Sequence, residues 1–473
     1  MGNSEAICYM TATALADAIR AGDLSAREVM QAHLARIEQV NPQVNAMVTL
    51  HAEQAMQAAL AADEAQAQGK ALGPLHGLPV AHKDLTLTKG MRTTFGSKIH
   101  EHFIPDQSAL IVERQQQAGA ISVGKTNTPE FGAGSQTFNE VFGATRNPYD
   151  LSRTCGGSSG GAAVALATGM VPLADGSDMF GSLRCPASFN NVVGLRPSVG
   201  RVPRSLTLDG WDSLAVDGPM ARTVQDLALY LSVMAGFDAR DPLAIAGTGA
   251  QFREPLGRDL KGVRIAWSPT MGGLPIEPQV VQMIEAQRSV FEGLGCIVEE
   301  ACPDFSDATE AALTLRAYQF QANLGELMDR HPGVLKQTIV SNIEAGRALD
   351  ITQLARARVL RTRLFRQVHD FMSRYEFMVF PTSQVAPFPI EQEYVTQIGD
   401  VKMDSYIDWM RSAYYVTATA HPAISVPCGF TAQGLPVGLQ IVGRHQADFA
   451  LLQIAHAFEQ ATQFGQQHPP IAG

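Results

Sequence analysis

Hydrophobic and polar positions along the chain change period several times, and each change marks a predicted element. Met30, Leu34 and Ile37 recur on one helical face, and Ser25 with Glu28 forms the capping box that starts it. Asn41-Pro42 is expected to end that helix. A second helix is predicted over about 54–68, rich in Ala, Glu and Gln. From Leu75 to Ala81 the spacing shortens to an apolar run beside Gly77 and Pro79 that suits a sheet. The pattern then alternates: a helix over 109–118, a strand over 120–124, and a helix over 161–168 closing at Gly169. Residues 308–374 read as a long, mostly helical stretch with many Arg and Gln. Strands follow at 377–381, 423–426 and 439–443, and a last helix near 449–460. This alternation predicts an α/β protein, a sheet covered by helices.

Composition excludes more than it assigns. The 36 basic against 46 acidic residues give a net charge of −10, and only 17% of residues are charged. That argues against a nucleic-acid groove, and the 45% hydrophobic content argues against disorder. At about 150 residues per domain, 473 residues would make roughly three domains. Yet Gly and Pro are spread throughout, with no linker, repeat or firm boundary. Cys8, Cys155, Cys185, Cys296, Cys302 and Cys428 form no C-x-x-C pair, and the histidines no H-E-x-x-H. Neither a metal site nor a disulfide framework is expected. Met1-Gly2-Asn3-Ser4-Glu5 has no basic or apolar leader region, and the small-apolar stretch 162–174 is too short to span a bilayer. The expectation is a cytoplasmic chain with no membrane partner.

Three motifs carry candidate chemistry and one is a decoy. Residues 119–126, Gly-Ala-Ile-Ser-Val-Gly-Lys-Thr, match the phosphate-loop pattern, which would make the chain a nucleotide binder. Their context is wrong: the variable positions are strand-like, Pro129 follows closely, and Gly119 reads as a helix C-cap. Gly156-Gly157-Ser158-Ser159-Gly160-Gly161 is a loop of high backbone freedom entering a helix. A second loop runs from Gly176 through Ser177-Asp178-Met179-Phe180-Gly181-Ser182 to Arg184 and sets Ser182 at a spacing of 182 − 158 = 24 from Ser158. Upstream, His82-Lys83-Asp84 closes the Leu75–Ala81 run.

Together these pieces resemble the amidase signature family, most densely over 147–202 and again over 421–443. The resemblance implies one large α/β domain over 1–473 with a mixed central sheet covered by helices, the 308–374 stretch being an elaboration of it. It implies an amidohydrolase with a Ser-Ser-Lys triad, Lys83, Ser158 and Ser182, acting on a small-molecule amide through an acyl-enzyme, with no cofactor. A non-proline cis peptide is expected at Ser158. The chemistry accounts for the residue types: a serine needs a base, and a lysine is one only when burial or a nearby cation lowers its pKa. Backbone N–H groups of Met179, Phe180, Gly181 and Ser182 are the expected oxyanion hole. Phe131, Met179 and Phe180 are candidate substrate contacts, and Asp178 with Arg184 a buried framework pair. His82 is read as a packing residue. Trp211, Trp409, Tyr414 and Tyr415 are each read as core packing.

The chain departs from the family pattern at Met179-Phe180, where relatives carry smaller residues and a glycine. Phe180 lacks glycine's access to positive φ, so the backbone there is expected not to require it. The nearest rival is the glutaminase-like subunit of a tRNA-dependent amidotransferase, opposed by Cys185 and Asn190-Asn191, where such subunits typically carry Gln and Cys-Gly. A catalytically silent relative kept for binding is the other alternative. A homodimer is compatible with either.

Overall fold

Capping and burial fix the first helices. Ser25 accepts from the Glu28 N–H while the Glu28 carboxylate accepts from Ser25, closing the expected box at the start of helix Ala26–Val44. The helix does not stop at Asn41-Pro42. It runs on to Val44 and ends at Asn45, which adopts φ 54°. Pro42 deletes one N–H in the final turn, and the buried Val40 and Val44 hold that turn against the body. The computed structural model describes residues 2–472, so Met1, at the head of the segment expected to carry no leader, and Gly473 lie outside the described residues.

The core is organised by one mixed sheet of 11 strands. In chain order these are β1 (Met47–Leu50), β2 (Pro79–Lys83), β3 (Ile121–Thr126), β4 (Leu173–Asp178), β5 (Val193–Arg196), β6 (Val216–Ala221), β7 (Arg264–Trp267), β8 (Ile297–Glu300), β9 (Phe377–Pro381), β10 (Ala423–Phe430) and β11 (Pro436–Gly443). Their spatial order is β1-β3-β2-β4-β6-β5-β10-β11-β9-β7-β8. β3, β2 and β4 run parallel, as do β9, β7 and β8, while the strands between pair antiparallel.

Strand periodicity assigns each face. Val80, Leu173, Val379, Ile424 and Ile441 enter one cluster with Leu227, Leu451 and Phe458 from helices Val224–Met234 and Asp448–Thr462. Their neighbours in sequence turn the other way. Ala81 and Ala174 pack with helix Gly160–Ala167, and Met378, Phe380, Ala423 and Val442 pack with Trp409 and Tyr414. Every residue of helix Gly160–Ala167 is buried, which explains its uniformly small, apolar sequence. The chain is therefore a single large α/β domain with helices on both faces of a mixed sheet.

Within 308–374 the structure has three helices, Ala308–Arg330, Gln337–Arg347 and Ile351–Met372. Leu364, Val368 and Met372 join the cluster containing Met378 and Phe380. Phe320, Ile339 and Ile343 close over Phe131 and Met179, and so bring this region against the loops that follow β3 and β4. Among the described residues, no helix is long and apolar enough to cross a membrane.

Candidate active site

The end of β2, the end of β4 and the glycine-rich loop before helix Gly160–Ala167 converge at Lys83. Its side chain is fully buried, and Nζ donates to Ser158 Oγ at 2.7 Å, Ser159 Oγ at 3.0 Å and Ser177 Oγ at 3.1 Å. Three hydroxyls and no carboxylate touch the ammonium. Burial therefore pulls its pKa down to about 7, against the weaker upward pull of Asp217, Asp178 and Asp175. Asp175 on β4 anchors the Lys83 backbone, accepting from its N–H at 3.0 Å, and receives His82 Nδ1 at 2.6 Å. Burial alone would raise the Asp175 pKa, but His82 and these donors hold it below the usual carboxylate range. The other His82 nitrogen lies 2.8 Å from Ser122 Oγ, so this histidine belongs to a polar network and is more than packing.

The two serine loops are tied together by the Ser159 N–H, which donates to the Ser182 carbonyl at 3.2 Å. The Gly157–Ser158 peptide is cis, as the resemblance implied. Gly176 lets β4 approach: a Cβ there would lie 2.6 Å from Ser159 Oγ. Gly181 has φ 103°, and a Cβ on it would meet the Ala413 Cβ at 2.6 Å. Positive φ thus falls on Gly181, while Phe180 stays outside the left-handed region, so the non-glycine residue is accommodated without strain.

Asp178 shapes the loop carrying Ser182. Its carboxylate accepts from the Gly181 N–H at 2.9 Å, the Leu183 N–H at 3.2 Å, and Arg184 Nε and NH2, each at 3.0 Å. Burial would raise its pKa, but Arg184 and Arg196 hold it well below the usual range. Within the expected oxyanion set, the Gly181 N–H already donates to Asp178. Among the described residues, no group accepts from the N–H of Met179, Phe180 or Ser182.

Ser158 and Ser182 open onto one cavity of about 180 Å³, which Phe131, Met179 and Phe180 also line. Phe131 stacks on Phe95, with ring centroids 5.8 Å apart, and Phe180 stacks on Tyr414 at 4.8 Å. Sequence reasoning missed Ser159, Ser177 and Asp175, although all three sit inside or beside the quoted motifs. It also missed Arg316 and Tyr406, which line the same cavity from distant segments. No local pattern marks either one.

The decoy resolves differently. Residues 121–126 of the phosphate-loop match are β3 itself, and buried Lys125 donates to Thr88 Oγ1 at 2.7 Å and to the Thr86 carbonyl. The match therefore opens no helix, and its lysine is spent inside the protein. Trp409 is core, but Trp211 is 73% exposed and is not. Burial pushes the Cys185 thiol up to about 12, which leaves it inert beside the site.

Three comparisons bear on this arrangement. The Amidase family model matches residues 28–452. An acylamidase of Rhodococcus erythropolis is 36% identical over 464 residues, covering 98% of this chain and 97% of that protein. A subunit of the glutamyl-tRNA(Gln) amidotransferase of Synechococcus sp. (strain CC9605) is 35% identical over 487 residues, covering 98% of each. Among solved structures, a bacterial aryl acylamidase of the amidase signature enzymes superposes with a TM-score of 0.90 at 28% identity, covering 97% of this chain and 98% of that one.

Proposed function

The chain belongs to the amidase signature family, and from that premise we propose that it is an amidase hydrolysing a carboxamide bond through Lys83, Ser158 and Ser182. The observation that carries this reading is the buried Lys83 amine, 2.7 Å from Ser158 Oγ at a cavity that Ser158 shares with Ser182. In this reading Ser182 Oγ attacks the amide carbon. Ser158 accepts the Ser182 proton and passes its own to neutral Lys83 Nζ. The tetrahedral oxyanion accepts from the N–H groups of Met179, Phe180 and Ser182, with Gly181 contributing the turn that aims them. The proton returns along Ser158 to the departing amine. Water, deprotonated by the same pair, then hydrolyses the acyl-enzyme and frees the acid. No cofactor enters the scheme. We read residues 1–473 as one unit acting on a small-molecule amide in the cytoplasm, with 308–374 an elaboration that roofs the site.

The 35% identity to an amidotransferase subunit keeps a glutaminase-like role as the second reading. One experiment addresses both: turnover of aliphatic amides, anilides, esters, carbamates and free glutamine by the wild type and by Ser182→Ala. Hydrolysis of synthetic amides that Ser182→Ala abolishes supports the amidase. Turnover confined to glutamine favours the second reading, and full activity in Ser182→Ala overturns both.

A further inference from the structure

Arg316, on helix Ala308–Arg330, is only 6% exposed and lines the cavity that holds Ser158 and Ser182. Its guanidinium has poor partners. NH1 donates to Met179 Sδ at 3.3 Å and NH2 to Tyr406 Oη at 2.5 Å, while Nε has no hydrogen-bond partner among the described residues. The rings of Phe320, Phe180 and Tyr406 surround its Cζ, with centroids 4.4, 5.1 and 5.8 Å away. Among the described residues no carboxylate pairs with it.

Four other buried arginines have their charge compensated, although Arg196 Nε and NH2 also lack hydrogen-bond partners among the described residues. Arg184 and Arg196 share Asp178, Arg201 pairs with Asp448, and Arg222 spends its donors on four backbone carbonyls. The cavity lining contains no Asp or Glu, and its second arginine, Arg204, is paired with Asp217 at 3.4 Å. The uncompensated charge of the cavity is therefore the Arg316 guanidinium. A buried, unpaired cation is costly, and aromatic faces offset only part of that cost. A planar carboxylate supplies what is missing, because the guanidinium fork matches it with two parallel hydrogen bonds.

We propose that Arg316 is a specificity-determining residue of this site and that the amide it selects carries a carboxylate a short chain away from the scissile carbonyl. The inference rests on the amidase reading above. A cavity of about 180 Å³ sets the length. Roughly 150 Å³ holds one benzene ring, so only a few carbons separate the two groups.

Two matched substrate pairs test it. Butyramide and succinamate differ by a terminal methyl or carboxylate on the acyl side, whereas N-butyrylglycinamide and N-butyrylglycine differ on the amine side. The charged member of one pair should be turned over about 10- to 150-fold better in kcat/KM, the range of a charge-assisted hydrogen-bonded pair. The favoured pair tells which side of the amide faces Arg316. Arg316→Met should collapse that ratio, and Arg316→Lys, which keeps the charge but loses the fork, should retain part of it. The wild-type ratio reads the proposal even if Arg316→Met fails to fold. A neutral preference in both pairs, or an equal loss on charged and neutral members in Arg316→Met, overturns the proposal. Succinate titrated calorimetrically separates it from the hydrolase reading. Arg316-dependent binding without any turnover supports the carboxylate site and sinks the amidase, while the absence of both turnover and binding overturns the site.

Discussion

Replacing Lys83 with Met should make the protein inactive yet more stable in mild acid, and the size of that gain follows from the environment of the amine. Lys83 is held at about 7 in the folded chain against 10.5 for an ordinary lysine. Between those values the unfolded chain binds more protons than the folded one, so this group makes stability rise with pH across the window. Below it, the penalty of charging the buried amine is fully present. It amounts to 10.5 − 7 = 3.5 pKa units, at most about 5 kcal/mol. Methionine removes the penalty but also removes three hydrogen bonds, to Ser158, Ser159 and Ser177, each contributing about 1 kcal/mol. The variant should therefore exceed the wild type by about 2 kcal/mol near pH 6 and fall below it by about 3 kcal/mol near pH 10.5. Urea unfolding of both proteins at several pH values measures the difference, and other titrating groups, such as the buried Lys125 at about 8, cancel in it. The same amine sets the acidic limb of kcat/KM: at pH 5 about one molecule in a hundred carries it neutral. A stability difference that is flat with pH, or an acidic limb that survives in a Lys83 variant with residual activity, would refute the assignment of the base.

Phe180→Ala should shift relative kcat/KM toward bulkier acyl groups by about 10- to 200-fold at a cost of about 3–5 kcal/mol in stability; a uniform rise for all acyl groups would instead mean that the Phe180 side chain distorts the oxyanion hole. Asp178→Asn should lower kcat about 10²–10³-fold for amides and esters alike with little change in KM, because the loop that aims the N–H donors loses its anchor; an unchanged kcat counts against the loop geometry. ATP titrated into the wild type should give no binding heat, since Lys125 is committed inside β3; saturable heat lost in Lys125→Met would revive the phosphate-loop reading.

Much of the fold was legible where periodicity is local. The strands at 377–381 and 439–443, the last helix and the capping box at Ser25 follow from spacing alone. Strands β7 and β8 escaped because runs of four residues, Arg264–Trp267 and Ile297–Glu300, are too short to show alternation. Pro42 misled because a breaker in a final turn costs one hydrogen bond, which packing of Val44 offsets. At the site, Lys83, Ser158 and Ser182 were singled out through the family resemblance that motif order and spacing carry, and the structure sets Lys83 against Ser158 on the cavity that Ser182 also lines. The commitment of the Gly181 amide to Asp178 was not legible, because a backbone hydrogen bond leaves no mark in composition. Arg316 was invisible for another reason: one arginine in an arginine-rich helical stretch acquires meaning only when the fold denies it a carboxylate.

The nucleophile is the claim on which the rest depends. Incubating the wild type, Ser182→Ala and Ser158→Ala with a serine-directed fluorophosphonate, followed by intact mass and peptide mapping, tests it directly. One adduct is expected on the wild type, mapped to Ser182, absent from Ser182→Ala and much slower to form in Ser158→Ala. An adduct of equal rate and yield on Ser182→Ala, or one mapped to another residue, would contradict it.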